Sequence, residues 1–265
     1  MSDIVKLQIS RGDGNETELV DYEVERVPGM VVLDAVHQVQ ASTAPDLAVR
    51  WNCKAGKCGS CSAEVNGKPK LMCMNRIDDY PDGETITIQP LKTFPVIKDL
   101  VCDVSWNYEV NKNIPAFQMD PKVADDPRFY QYEADRPQEF RKCIECVLCQ
   151  DVCHVLRDHD KKEEFAGPRF FVRSACVEMH PLDVGDRLGL LKDDLGIGYC
   201  NITKCCTEVC PEHITITDNA IIPLKERVAD QFYDPVKMLF RILVPDRTEK
   251  KTIPPPATED GTPAK

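Results

Sequence analysis

Cysteine carries the chemistry of this sequence, and its spacing says what kind. The first set is Cys53, Cys58, Cys61 and Cys73, written C-x4-C-x2-C-x11-C. Four thiolates aimed inward from a tight loop and a neighbouring strand suit an iron–sulfur rhomb, and C-x4-C-x2-C is the plant-type 2Fe-2S spacing. Gly56 and Gly59 lie inside the loop, where glycine lets the backbone pass close to a cluster and point N–H groups at its sulfurs. The competing readings are a zinc site and buried cysteines acting as small hydrophobes. Zinc usually takes C-x2-C pairs from separated knuckles, and the loop spacing favours the cluster.

The second set, "CIECVLCQDVC", places Cys143, Cys146, Cys149 and Cys153 at C-x2-C-x2-C-x3-C. In bacterial ferredoxins with this spacing three cysteines bind one cubane and the fourth reaches across to another. A second run with the same offsets is therefore required, and "CNITKCCTEVCP" supplies it. Cys200, Cys206 and Cys210 fall on Cys143, Cys149 and Cys153, while Thr203 stands where Cys146 does. Crossing the fourth ligands yields a complete 4Fe-4S set of Cys143, Cys146, Cys149 and Cys210. It leaves a set of three, Cys153, Cys200 and Cys206. A cubane short of one thiolate loses that corner iron, so the expectation is 3Fe-4S, with Thr203 at the empty corner.

Cys205 is out of register with the first run and is expected to point elsewhere than Cys206. It reads either as a packed or half-exposed thiol, which the register favours, or as a replacement ligand for a fourth iron. Cys102 and Cys176 lack partners at ligand spacing and read as structural. The histidines at 37, 154, 159, 180 and 213 form no ligand pattern.

The elements that must hold these cysteines divide the chain. "IVKLQIS" alternates as a half-buried strand, "ELVDYEVE" reads as its hairpin partner, and "MVVLDAVHQVQ" has helical spacing. Two short strands flank the Asn66-Gly67 turn, and "ETITIQP" makes a last strand. Strands packed on one helix with a cysteine loop between them describe a β-grasp, ferredoxin-like unit over residues 1–103. The stretch "NKNIPAFQMDPKVADDPRFYQYEADRP" has prolines at 115, 121, 127 and 137 and reads as an irregular connector. "DVGDRLGLLKDDLG" and "IPLKERVADQFYDPVKMLFRIL" favour helices, so residues 104–245 are expected to form a mainly helical two-cluster ferredoxin domain. Residues 246–265 read as a disordered, proline-rich tail. The fold class expected is α+β.

Composition limits the remaining functions. The chain has 265 residues, with 33 Lys+Arg against 44 Asp+Glu and a net charge of −11, so a nucleic-acid partner is not expected. No basic and apolar leader opens the sequence, and no apolar window is long enough to span a bilayer. Fourteen cysteines in such a chain point to metal rather than disulfides. No G-x-G-x-x-G follows a strand, and no catalytic residue is expected here.

A plant-type 2Fe-2S unit followed by a two-cluster unit lacking one ligand resembles the iron–sulfur subunit of succinate dehydrogenase and fumarate reductase. The resemblance rests on "NCKAGKCGSC…KLMC", "CIECVLC…C" and "C…NITKCCTEVCP", and all eleven ligand cysteines fall where the family has them. It implies a flavoprotein partner that oxidises succinate to fumarate at FAD. Electrons then enter at 2Fe-2S, pass through 4Fe-4S and leave 3Fe-4S for quinone at a membrane-anchor subunit. It also implies a peripheral position on the cytoplasmic face of the membrane, held by partners. His154, Asp158 and Asn201 stand where many relatives carry proline, tryptophan and histidine, which departs from the family's quinone contacts. The alternative is the iron–sulfur subunit of another flavoprotein complex, such as a fumarate reductase working in reverse or with a thiol donor. Relatives of the thiol-linked kind usually carry further cysteine-rich modules, and here no cysteine follows Cys210.

Overall fold

The computed structural model describes residues 4–14 and 16–236. The tail expected from residue 246, and the last apolar segment beyond Val236, lie outside the described residues. In chain order the elements are β1 (Ile4–Asp13), β2 (Glu16–Glu25), α1 (Val32–Ser42), β3 (Ser62–Val65), β4 (Lys68–Leu71) and β5 (Thr85–Gln89). Then come β6 (Val96–Lys98), β7 (Val101–Cys102), α2 (Ser105–Lys112), α3 (Gln131–Phe140), α4 (Leu148–Asp151) and α5 (His154–Arg157). The chain continues through α6 (Pro168–Glu178), α7 (Leu188–Asp193), α8 (Cys205–Glu208) and α9 (Ile222–Phe232), the last entered from a π-helical turn, Ile216–Ile221.

Two compact units result. One gathers the described residues up to Val104 with Cys143–Lys161 and Thr203–Ile214; the other takes Ser105–Lys142, Lys162–Ile202 and the described residues from Thr215 on.

In the first unit β1 and β2 form an antiparallel hairpin with Ile4 opposite Glu25 and Asp13 opposite Glu16. Alternation turns Val5, Leu7 and Ile9 inward, and parallel β5 sets Ile86 beside Leu7 and Ile88 beside Ile9. The helix α1 closes this face with Val32, Leu33, Val36 and Val39, all buried. Removing those four side chains from water contributes on the order of 6–12 kcal/mol before chain entropy is subtracted. β3 and β4 turn at Asn66 (φ 48°) and Gly67 (φ 72°), both left-handed as a type I′ hairpin needs. The β-grasp reading therefore holds.

The short pair β6–β7 was not legible in the sequence. Its turn hangs on Asp99, almost fully buried, which accepts Arg11 Nε at 3.0 Å and the N–H groups of Gly12 at 2.9 Å and Ala48 at 2.8 Å.

In the second unit α3 corrects the reading of an unbroken irregular connector. Glu133 accepts the Tyr130 N–H at 2.8 Å, a cap that starts a helix the prolines had masked, with Pro137 inside it. α3 packs on α6, whose Phe170, Phe171, Val172 and Ala175 are buried. Arg187 is fully enclosed, donating to Asp183 Oδ1 at 2.8 Å and to the Ala116 carbonyl at 2.7 Å. Buried charge of this kind is tolerated only when so completely paired.

Candidate electron-transfer site

The first cysteine loop leaves the sheet before β3, and its shape follows from Lys54, Gly56 and Gly59, at φ 54°, 68° and 69°. That curvature turns amides toward sulfur. Ala55 N and Lys57 N each lie 3.3 Å from Cys53 Sγ, and Cys53 N lies 3.5 Å from Cys58 Sγ. Cys73 N lies 3.5 Å from Cys61 Sγ. Hydrogen bonds from Ser60 and from the Cys53 amide bring the Cys58 thiol down to about 6 despite partial burial. Burial pushes Cys61 up to about 12, with Cys73 and Cys58 adding to it. Backbone N–H groups are thus aimed at three of the four sulfurs. Such a donor set fits a charged iron–sulfur group, whose sulfurs are stabilised by N–H donors. Among the described residues no three His, Cys, Asp or Glu converge on a single-ion site. A 2Fe-2S cluster has no such requirement, because its four thiolates are divided two to each iron.

The two later runs share one backbone. Glu145 and Val147 have φ 58° and 57°, and Ile202 and Lys204, at the same offsets, have φ 63° and 64°. Each left-handed pair leads into a single-turn helix, α4 or α8, whose second residue is Cys149 or Cys206. Thr203 therefore occupies the position of Cys146, and Cys205 that of Leu148.

Cys149 is buried, and its thiol is raised well above the ordinary value by that burial and by Cys146, Cys143, Cys206 and Cys210. Cys146 is pushed up to about 12 by burial, with Cys143 and Cys210 contributing. Cys210 thus lies within electrostatic reach of Cys146 and Cys149, as Cys206 does of Cys149, and the Cys210 Sγ receives the Ile214 N–H at 3.4 Å. Cys153 is pushed up to about 12 by burial, with Cys205 and Cys206 adding to it. Cys205 Sγ sits 3.3 Å from Thr203 Oγ1, and Cys205 is among the groups that add to the upward push on Cys153. Cys200 belongs to the second unit, where its carbonyl accepts Lys225 Nζ at 2.6 Å. His154 opens α5 and Asp158 caps its end.

Cys102 is buried with its thiol 3.6 Å from the Leu91 carbonyl, and Cys176 lies 3.8 Å from the Pro137 carbonyl.

Sequence reasoning missed the polar groups that hold the first run against the β-grasp. Glu64 on β3 and Asp151 on α4 are both fully buried. Arg157 Nη1 lies 2.6 Å from Glu64 Oε1 and 3.9 Å from Asp151 Oδ2. Thr93 N donates to Asp151 Oδ1 at 3.0 Å. Strand alternation sends Glu64 outward to water; instead β3 is covered on both faces.

Two family models match the chain: a 2Fe-2S iron–sulfur cluster binding domain over residues 5–109 and a 4Fe-4S dicluster domain over residues 139–214. Fold and site together define an iron–sulfur electron carrier with a plant-type centre and a dicluster module. A fumarate reductase iron–sulfur subunit from Escherichia coli O6:H1 is 32% identical over 198 residues, covering 73% of this chain and 79% of that one. The corresponding subunit of Wolinella succinogenes is 29% identical over 219 residues, 79% of this chain and 86% of that one. A chain of the Mycobacterium smegmatis Sdh1 complex in the apo form superposes with TM-score 0.86 at 59% identity, covering 89% of this chain and 100% of that one. The chain belongs to the family of iron–sulfur subunits of succinate dehydrogenase and fumarate reductase. Its role is electron transfer within such an oxidoreductase.

Proposed function

We propose that this chain carries electrons from a flavoprotein that oxidises succinate at FAD toward quinone at a membrane-anchor subunit. In this reading Cys53, Cys58, Cys61 and Cys73 hold 2Fe-2S, Cys143, Cys146, Cys149 and Cys210 hold 4Fe-4S, and Cys153, Cys200 and Cys206 hold 3Fe-4S. When bound, the three groups supply one-electron carriers in that order. The chain's residues do the rest. Amides of Ala55 and Lys57 stabilise negative charge on the Cys53 sulfur, and burial of Cys146, Cys149 and Cys153 keeps water from the interior sulfurs. Lys225 fixes the carbonyl of Cys200. No residue here performs dicarboxylate chemistry.

Among the described residues no helix is long and apolar enough to cross a membrane, and on our reading partners hold the chain at the cytoplasmic face. The observation that carries the third-cluster assignment is the shared backbone of the two runs, with Thr203 in the place of Cys146. Purifying the membrane complex and measuring succinate oxidation, fumarate reduction and the paramagnetic spectrum tests it. A near-isotropic three-iron signal in the oxidised complex, beside reducible 2Fe-2S and 4Fe-4S signals, is expected. A complex active with succinate but holding four irons at the third site overturns the assignment.

A further inference from the structure

Gly59 lies between two ligands of the first set, Cys58 and Cys61, and its α-carbon faces the backbone of Cys146, a ligand of the second. A β-carbon at Gly59 would come within 2.6 Å of Cys146 Cα, 2.9 Å of its Cβ and 3.0 Å of its N. Atoms do not pack that closely, so only glycine permits this approach, and φ 69° independently favours glycine there. The hydroxyl of Ser62 closes the junction. Its oxygen is 2.8 Å from the Gly59 carbonyl and 2.8 Å from the Cys146 carbonyl, sharing one proton between the two cysteine loops. Both segments lie within the first compact unit.

We propose that Gly59 and Ser62 are positioning residues for the first internal electron step: glycine sets the closest approach of the two ligand loops, and serine locks it. The inference rests on the ligand sets proposed above. In the step itself one electron leaves the centre held by the first set and one arrives at the centre held by the second; no bond forms or breaks and no proton need move. Electron tunnelling weakens steeply with separation, so a wedge at Gly59 slows this step without altering either ligand set.

The test uses the intact membrane complex as wild type, Gly59→Ala, Ser62→Ala and Ser62→Thr. Readouts are iron content, the reduction potential of each centre, and the enhancement of spin relaxation that the reduced second centre imposes on the reduced first. Gly59→Ala is expected to keep its iron and potentials while losing much of the relaxation enhancement and slowing succinate-driven reduction of the second centre. Ser62→Ala is expected to lose a smaller part, and Ser62→Thr, which keeps the hydroxyl, to retain it. If Gly59→Ala does not assemble, the serine pair decides: equal relaxation in Ser62→Ala and wild type overturns the inference. Iron-replete Gly59→Ala with unchanged relaxation also overturns it. A wild-type complex lacking either centre would overturn the ligand sets themselves, which separates the two failures.

Discussion

Replacing Arg157 by Met removes the cation from the buried carboxylates of Glu64 and Asp151. Arg157 is largely buried, and its Nη1 lies 2.6 Å from Glu64 Oε1. Lys92 approaches Glu64 Oε2 at 3.4 Å, but it is half exposed and screened. Neither Glu64 oxygen has a well-directed hydrogen bond, so ion pairing carries the load. Asp151 is pushed up to about 7 by burial and by Glu64, against the Thr93 N–H and Arg157, so it is already close to shedding its charge at neutral pH. Removing one partner from a buried ion pair costs about 3–5 kcal/mol.

Without Arg157 the remaining buried carboxylate escapes its charge by taking up a proton, at about 1.4 kcal/mol for each unit between the pH and the ordinary carboxylate value, roughly 3–4 kcal/mol at pH 7. In the variant a folded-state value raised above the unfolded one means the penalty is largest at high pH and shrinks as pH falls. For a unit of this size the expected loss in Tm is on the order of 10 °C at pH 7, measured as bleaching of the visible iron–sulfur absorbance on heating. At pH 5 the difference should be less than half as large. A variant within 1–2 °C of wild type at pH 7, or a penalty that grows on acidification, would refute the reasoning.

Thr203→Cys restores the cysteine spacing of the first run and is expected to add one iron per chain and abolish the three-iron signal, lowering the potential at that site. Cys205→Ser should leave the three-iron signal intact; a wild type with four irons that drops to three in Cys205→Ser would make Cys205 the ligand. Glu139 on α3 accepts the Thr215 N–H at 2.7 Å and Asn219 Nδ2 at 2.6 Å, and although burial opposes it these bonds hold its carboxyl below the ordinary value. A depressed folded value stabilises above the unfolded value of about 4.5 and is lost as pH falls below it. Glu139→Gln should therefore cost about 1 kcal/mol at pH 7, with the gap to wild type closing below pH 4 in denaturant titrations.

Local alternation and turn chemistry made the β-grasp legible: Val5, Leu7 and Ile9 point one way, and Asn66-Gly67 admits one kind of turn. The cysteine offsets made the two runs legible as copies. What the sequence hid were features whose cause is distant along the chain. Glu64 sits at an outward strand position that becomes buried, and its partners Asp151 and Arg157 lie in and just after the run from Cys143 to Cys153. Asp99 organises a turn through Arg11 and Ala48, and α3 begins because Glu133 caps it among prolines. The approach of Gly59 to Cys146 belongs to the same kind. The glycine was visible as a loop residue near cysteine, but the backbone it makes room for lies far along the sequence.

The left-handed residues of the two runs connect fold to metal. Glu145, Val147, Ile202 and Lys204 all carry a β-carbon, and Val147 and Ile202 are β-branched, the residue types least suited to positive φ. At about 1–2 kcal/mol each, the four hold roughly 4–8 kcal/mol of backbone strain, comparable with the whole stability of an ordinary domain. Backbone in such a state persists only where its surroundings demand it. Chain packing supplies part of that demand. On the proposed ligand sets the buried sulfurs of Cys146, Cys149 and Cys206 add to it as thiolates on iron, whereas as free thiols burial holds Cys146 and Cys149 protonated. Binding energy at the cysteines is therefore folding energy for the loops that present them. The same curvature that aims the sulfurs inward makes the loops dependent on what the sulfurs hold.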